Sequence, residues 1–162
     1  MPNYILDQLD LDILRIIQAD GRLTNKEIAA KLRKSGSTVF ERIARLRREG
    51  FIGETVTVIN RNKFTDLWIA FSHVKLMVHS AEALSNFQDQ VVQYPEVLEC
   101  YHTTGEYDFL IKIVVGDMPE YNRFIMEKLS KLENVGALNS TFVVNEAKRS
   151  LCYPIRYKQE IL

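Results

Sequence analysis

The chemistry of this sequence is concentrated in residues 22–48. They carry nine basic side chains, Arg22, Lys26, Lys31, Arg33, Lys34, Arg42, Arg45, Arg47 and Arg48, against two acids, Glu27 and Glu41. Such a cluster attracts a polyanion, and guanidinium groups pair in a fork with phosphate or with guanine O6 and N7. Three hydroxyls, Ser35, Ser37 and Thr38, are interleaved and suit close approach to phosphates and base edges. The bland alternative is a solvated amphipathic surface, which the local excess of positive charge disfavours. A second constellation is Gly105-Glu106-Tyr107-Asp108. Glycine frees backbone N–H groups to meet a carboxylate, and Asp108 offers a charge for an ammonium. An aspartate in such a turn also commonly binds its own backbone.

Other reactive side chains form no recognisable site. Cys100 and His102 share one face of an expected strand, with His73 and His79 in or near another. The spacing lacks the paired ligands of structural zinc, and a strand cysteine is usually a small buried hydrophobe. No nucleophile elbow, zinc-protease or phosphate-loop motif is present, so neither an enzyme nor a metal or cofactor site is expected.

Composition narrows the remaining classes. The chain has 162 residues, 21 Lys+Arg and 21 Asp+Glu, so it is not a bulk polycation. Its two cysteines cannot build a disulfide framework. The opening MPNYILDQLDLD lacks a basic run before an apolar core, and no uninterrupted apolar stretch approaches ~18 residues. A cytoplasmic protein without a membrane span is the expectation. Residues 1–60 hold ten basic and eight acidic residues, and residues 61–162 hold eleven and thirteen. That asymmetry suggests two domains.

The elements follow from periodicity and caps. A first helix is expected from Asp10, with Ile13, Leu14 and Ile17 inward and Gly21 as its stop. Thr24 and Glu27 form a capping-box pattern for a second helix. A third opens at Ser35 or Ser37 and runs to Glu49, with Val39, Ile43 and Leu46 inward and Gly50 beyond. Its opposite face carries Ser37, Glu41, Ala44 and Arg48, flanked by Thr38, Phe40 and Arg45. The short link Arg33-Lys34-Ser35-Gly36 makes the last pair a helix-turn-helix, whose second helix fits a major groove. Phe51–Ile59 alternates and reads as a strand. Beyond an irregular hinge at 61–67, residues 68–162 read as β-α-β-β-α-β. The strands are Trp68–Val78, Val97–Thr104, Phe109–Val115 and Ala137–Val144. The helices open at Ser80 and Asp117. This is the ferredoxin-like order, with one sheet face under helices and the other left apolar, which predicts dimerisation.

The strings LDQLDLDILRIIQADGRLTNKEIAAKL and STVFERIARLRREGFI, followed by VLECYHTTGEYDFLIKIVVGDMPEYNRF and LNSTFVVNEAK, resemble the Lrp/AsnC (leucine-responsive/asparagine-responsive, feast/famine) transcription regulators. The resemblance runs from about Leu6 to Pro154. It implies an α+β protein: a winged helix-turn-helix domain at 1–60 and a ferredoxin-like effector-binding and oligomerisation domain at 68–162. It also implies partners: double-stranded DNA, a small effector that is usually an amino acid, and copies of the same chain, as dimers and often octamers. The DNA-contacting set expected here is Lys34, Ser35, Ser37, Thr38, Phe40, Glu41, Arg42, Arg45 and Arg48. The effector set is Thr103, Thr104, Gly105, Glu106, Tyr107, Asp108 and Ser140. One departure stands out. Members more often have Gly-Leu-Ser-Pro where this chain has Arg33-Lys34-Ser35-Gly36. A second reading is an architectural oligomer that coats DNA without operator choice.

Overall fold

The structure, a computed structural model, describes residues 5–63 and 67–155. The remaining residues of the expected hinge, Phe64 to Asp66, lie outside the described residues, as do 1–4 and 156–162. The chain forms two compact units. One unites the segment up to Val58 with the segment from Lys148, and the other is Ile59–Ala147.

The first unit is built on α1 (Gln8–Ala19), α2 (Asn25–Leu32) and α3 (Gly36–Arg48). α1 starts earlier than its apolar stripe suggests, because Asp7 rather than Asp10 is its cap. The Asp7 carboxylate accepts the Asp10 N–H at 2.9 Å, and the Asp10 carboxylate accepts the Asp7 N–H at 3.1 Å. This reciprocal box satisfies two of the free donors at the helix start. Thr24 and Glu27 make the expected box on α2, and Ser35 caps α3 by accepting the Thr38 N–H at 3.1 Å. Ile13, Leu14, Ile28, Ala29, Val39, Ile43 and Leu46 form the core among the three helices.

One expectation about a helix end is corrected. α1 ends with Asp20 in extended backbone, and Gly21 is not left-handed. The left-handed stop belongs instead to α2, where Arg33 holds φ 52° and ψ 44°. Gly50 does stop α3 as expected, at φ 78°.

The expected strand at Phe51–Ile59 is also corrected. Phe51 and Ile52 pack on the helical core, but 53–60 carries no strand. Val56 and Val58 are 72% and 58% exposed. Alternation alone makes no strand: the ladder needs a neighbour, and no described segment of this unit supplies one.

The segment from Lys148, expected at the end of the second domain, lies along α1. The Gln18 side chain donates to the Tyr153 carbonyl at 2.8 Å and accepts the Tyr153 N–H at 3.1 Å. Arg15 donates to the Ile155 carbonyl at 3.0 Å, and Ile155 packs against the helical core.

The second unit contains β1 (Trp68–Leu76), α4 (Ala81–Val91), β2 (Val97–His102), β3 (Phe109–Val115), α5 (Met118–Glu127) and β4 (Val135–Phe142). The sheet has four strands in the order β2-β3-β1-β4, all antiparallel, as the ferredoxin-like pattern requires. Ser80 and Asp117 cap α4 and α5, each accepting an N–H three residues on. On β3, Phe109, Ile111, Ile113 and Val115 are all buried, and they meet Phe87, Val91, Tyr121 and Phe124 from the helices. The stripe expected to continue α5 turns into a short 3-10 turn at Leu129–Lys131, which still buries Leu129 and Leu132.

The opposite sheet face is mixed rather than simply apolar. Ile69 is buried there and Phe71, Leu110 and Val114 are half-buried. Among them Lys112 forms an ion pair with Glu99 at 2.7 Å. The alternation on β3 places Lys112 on this face together with Leu110 and Val114, so charge enters it by register.

Candidate nucleic-acid interface and effector hairpin

α3 presents one continuous surface. Ser37, Phe40, Glu41, Ala44, Arg47 and Arg48 are all exposed. They recur at the three- and four-residue steps that place side chains on one helical face. Val39, Ile43 and Leu46 hold the other face in the core. Lys34 and Ser35 are exposed at the start of α3, where the Ser35 hydroxyl lies 2.7 Å from that of Thr38 and 3.1 Å from that of Ser37. The helix N-terminus, its hydroxyls and two arginines therefore share an accessible side, suited to phosphate oxygens and base edges. Arg47 belongs to this surface although it is absent from the expected set. Its seven-residue offset from Phe40, about two helical turns, carries that signal.

Arg42 and Arg45 are engaged elsewhere. The Arg42 guanidinium bonds the Asp7 carboxylate and lies 3.0 Å from Asp10 Oδ1. Arg45 lies 3.5 Å from the same oxygen. Asp10 is fully buried, while the two arginine side chains are 27% and 31% exposed. These four charged groups are thus shared between two helices. Burial alone would raise the Asp7 carboxyl, but the Asp10 N–H and the Arg42 guanidinium hold it below its ordinary value. Donating to the two aspartates raises the Arg42 pKa further, so it stays charged. The network joins the first turn of α1 to the middle of α3. Two acids three residues apart, facing two arginines three residues apart, are its signature in the sequence. The exposed positive field is correspondingly smaller than the composition suggests, since Arg22 also pairs with Asp20 at 2.9 Å.

The hairpin between β2 and β3 closes on Thr103 and Asp108. The Thr103 N–H donates to the Asp108 carbonyl at 2.8 Å, and the Thr103 hydroxyl donates to the Tyr107 carbonyl at 3.0 Å. Gly105 takes φ 120°, which a side chain would strain, while Thr104, Gly105 and Glu106 are exposed. Asp108 is turned toward β1. Its Oδ2 accepts the Leu76 N–H at 2.8 Å and lies 3.2 Å from His79 Nε2. Its backbone N–H donates to the Val74 carbonyl at 2.9 Å. Tyr107 packs on the His73 ring, with centroids 5.3 Å apart. The structure therefore brings Thr103 to Asp108 together, but places Ser140 elsewhere. Ser140 pairs with Ser72 on the helix-covered side of the sheet, hydroxyl to hydroxyl at 2.7 Å. No local pattern marks the link from Asp108 to Leu76 and His79, because these partners lie about thirty residues away.

Among the described residues no group of three metal-ligating side chains converges, and no helix is long and apolar enough to cross a membrane.

A profile for winged helix-turn-helix DNA-binding matches residues 6–52, and one for the Lrp/AsnC ligand binding domain matches residues 69–151. Leucine-responsive regulatory protein of Escherichia coli K12 is 30% identical over 149 residues, covering 92% of this chain and 91% of that protein. Transcriptional regulator AzlB of Bacillus subtilis is 29% identical, covering 93% and 96%. A Neisseria meningitidis transcriptional regulator crystallised in complex with L-Met superposes with TM-score 0.85 at 30% identity, covering 92% of this chain and 96% of that one. An AsnC family transcriptional regulator from Agrobacterium tumefaciens gives 0.86 at 29% identity, covering 97% and 100%.

Proposed function

Because this chain belongs to the Lrp/AsnC family of DNA-binding transcription regulators, we propose that it selects operator sites with the exposed face of α3 and that an amino acid binding at the Thr103–Asp108 hairpin controls this. The observation that carries the first half is the α3 surface: Ser37, Phe40, Glu41, Ala44, Arg47 and Arg48 are all accessible on the second helix of a helix-turn-helix. Arg47 and Arg48 reach the duplex, while Arg42 and Arg45 hold α3 at its angle to α1. Lys34, Ser35, Ser37 and Thr38 meet phosphates at the helix start.

The second half is supported by the Neisseria relative, which holds L-Met, and by the chemistry of the hairpin. Exposed backbone at Thr104–Glu106 offers N–H groups to a carboxylate. Asp108, tied to Leu76 and His79, fixes the hairpin against β1, with Tyr107 alongside. Copies of the chain pair through the sheet face bearing Phe71, Leu110 and Val114, and dimers assemble further, to an octamer, around the hairpins. A ligand between dimers then favours one assembly and spaces the helix-turn-helix units over successive half-sites. It shifts the assembly only by its difference in affinity between the two states. The protein acts in the cytoplasm, where its DNA is.

A footprint over competitor DNA tests operator choice: discrete protected sites at moderate salt support it, and uniform coverage means architectural binding instead. A thermal-shift screen of the twenty amino acids tests the effector. A ligand at a hundred times its Kd adds about 2.7 kcal/mol, and twenty silent additions would remove the sensing role.

A further inference from the structure

Two residues on the presented face of α3 are poorly explained by phosphate binding. Phe40 is 60% exposed, and water disfavours an exposed aromatic ring. Glu41, beside it and also exposed, puts a carboxylate on the surface that approaches a polyanion. Neither group gains anything from a phosphate. Both match groups found on base edges in the major groove: an apolar ring packs on the thymine C5-methyl, and a carboxylate accepts from the cytosine N4 amino group. Their setting allows the approach. Ser37 precedes Phe40 by one turn, Ala44 follows it by one turn with only a methyl, and Arg47 and Arg48 continue the same face.

We infer that Phe40 and Glu41 are specificity residues that read neighbouring base pairs, Phe40 contacting a thymine methyl and Glu41 a cytosine amino group. The inference rests on operator binding by α3 as proposed above, and adds which bases that helix selects. The arginines supply attraction that any sequence satisfies. Phe40 and Glu41 supply discrimination, since the carboxylate is repelled wherever no amino group faces it.

The test begins with selection of sites by the full chain from a random duplex pool. Each thymine of the selected half-site is then replaced by deoxyuridine, which removes only the methyl. One replacement should weaken binding about fourfold, the loss expected for one apolar carbon group returned to water. The same replacement should cost nothing in Phe40→Ala. Exchange of the adjacent C·G pair for T·A should weaken the wild type about tenfold and leave Glu41→Ala indifferent. Neither variant should change the salt slope, because neither residue neutralises a phosphate. Silent deoxyuridine replacements, or equal losses in wild type and Phe40→Ala, would overturn the assignment while leaving operator choice intact. A pool that yields no preferred sequence would overturn operator choice as well, so the two failures are distinct. The deoxyuridine series uses unaltered protein and does not depend on any variant folding.

Discussion

Arg33 ends α2 at φ 52°, where a Cβ crowds the backbone and only glycine is at ease. Arg33→Gly should therefore stabilise the first unit by about 1 kcal/mol, read as a higher denaturation midpoint at unchanged slope. Acid should act on the same unit. Asp7 and Glu27 titrate below their ordinary values of 3.8 and 4.5. Asp20, hydrogen-bonded by Arg22, is lowered to about 2. Each binds its proton more readily when unfolded, so its stabilisation is complete above the ordinary value and is lost as pH falls through the lowered one. Unfolding midpoints of wild type and Asp7→Asn should differ at neutral pH and converge as pH falls below the ordinary aspartate value of 3.8. Equal pH dependence in both would show that Asp7 contributes nothing. The residues of α3 were only partly legible in this respect. Spacing identified the outward arc, but whether an arginine faces solvent or a buried aspartate depends on a helix about thirty residues earlier.

Among elements, the sheet was legible because β3 is a short apolar, β-branched run bounded by the Gly105–Asp108 turn and the Asp117 cap, and it buries every second residue. The segment 53–60 alternates in sequence, yet forms no strand, since the pattern describes a willing strand and not its neighbour. The hairpin shows the same limit. Its turn could be read locally, but its attachment to β1 could not. That attachment has a measurable consequence. Asp108→Ala leaves the Leu76 N–H without its acceptor and should destabilise the second unit by about 1–3 kcal/mol. Asp108→Asn keeps a carbonyl oxygen in place and should recover most of the loss in chemical denaturation. If both variants unfold like the parent, the bond to Leu76 is energetically idle. Phe124, fully enclosed by the sheet and Tyr94, gives the scale of a core change: Phe124→Ala should cost about 3–5 kcal/mol.

At the scale of the whole molecule, the helix-turn-helix unit is assembled from two distant stretches of chain. Composition could mark the basic stretch but not the return of Leu151 to Ile155, whose bonds to Arg15 and Gln18 go largely through backbone atoms and leave no side-chain signature. Ending the chain after Ser150 should lower the stability of this unit by about 1–3 kcal/mol, through the missing hydrogen bonds and the apolar packing of Ile155. The Ile59–Ala147 unit should unfold as before, and amide exchange resolves the two. A fall in both units would mean that the returning segment supports more than α1.

The same return orders events during synthesis. Ile59–Ala147 is continuous and has every strand of its sheet once Phe142 has emerged from the ribosome. The three helices emerge first, yet the segment that lies along α1 is translated after that sheet. At roughly 5–20 residues per second the helices wait on the order of 5–20 s for it. Over that interval α1 keeps a face unpaired, and a released chain ending at Ser150 should expose this face to proteases while its sheet is protected.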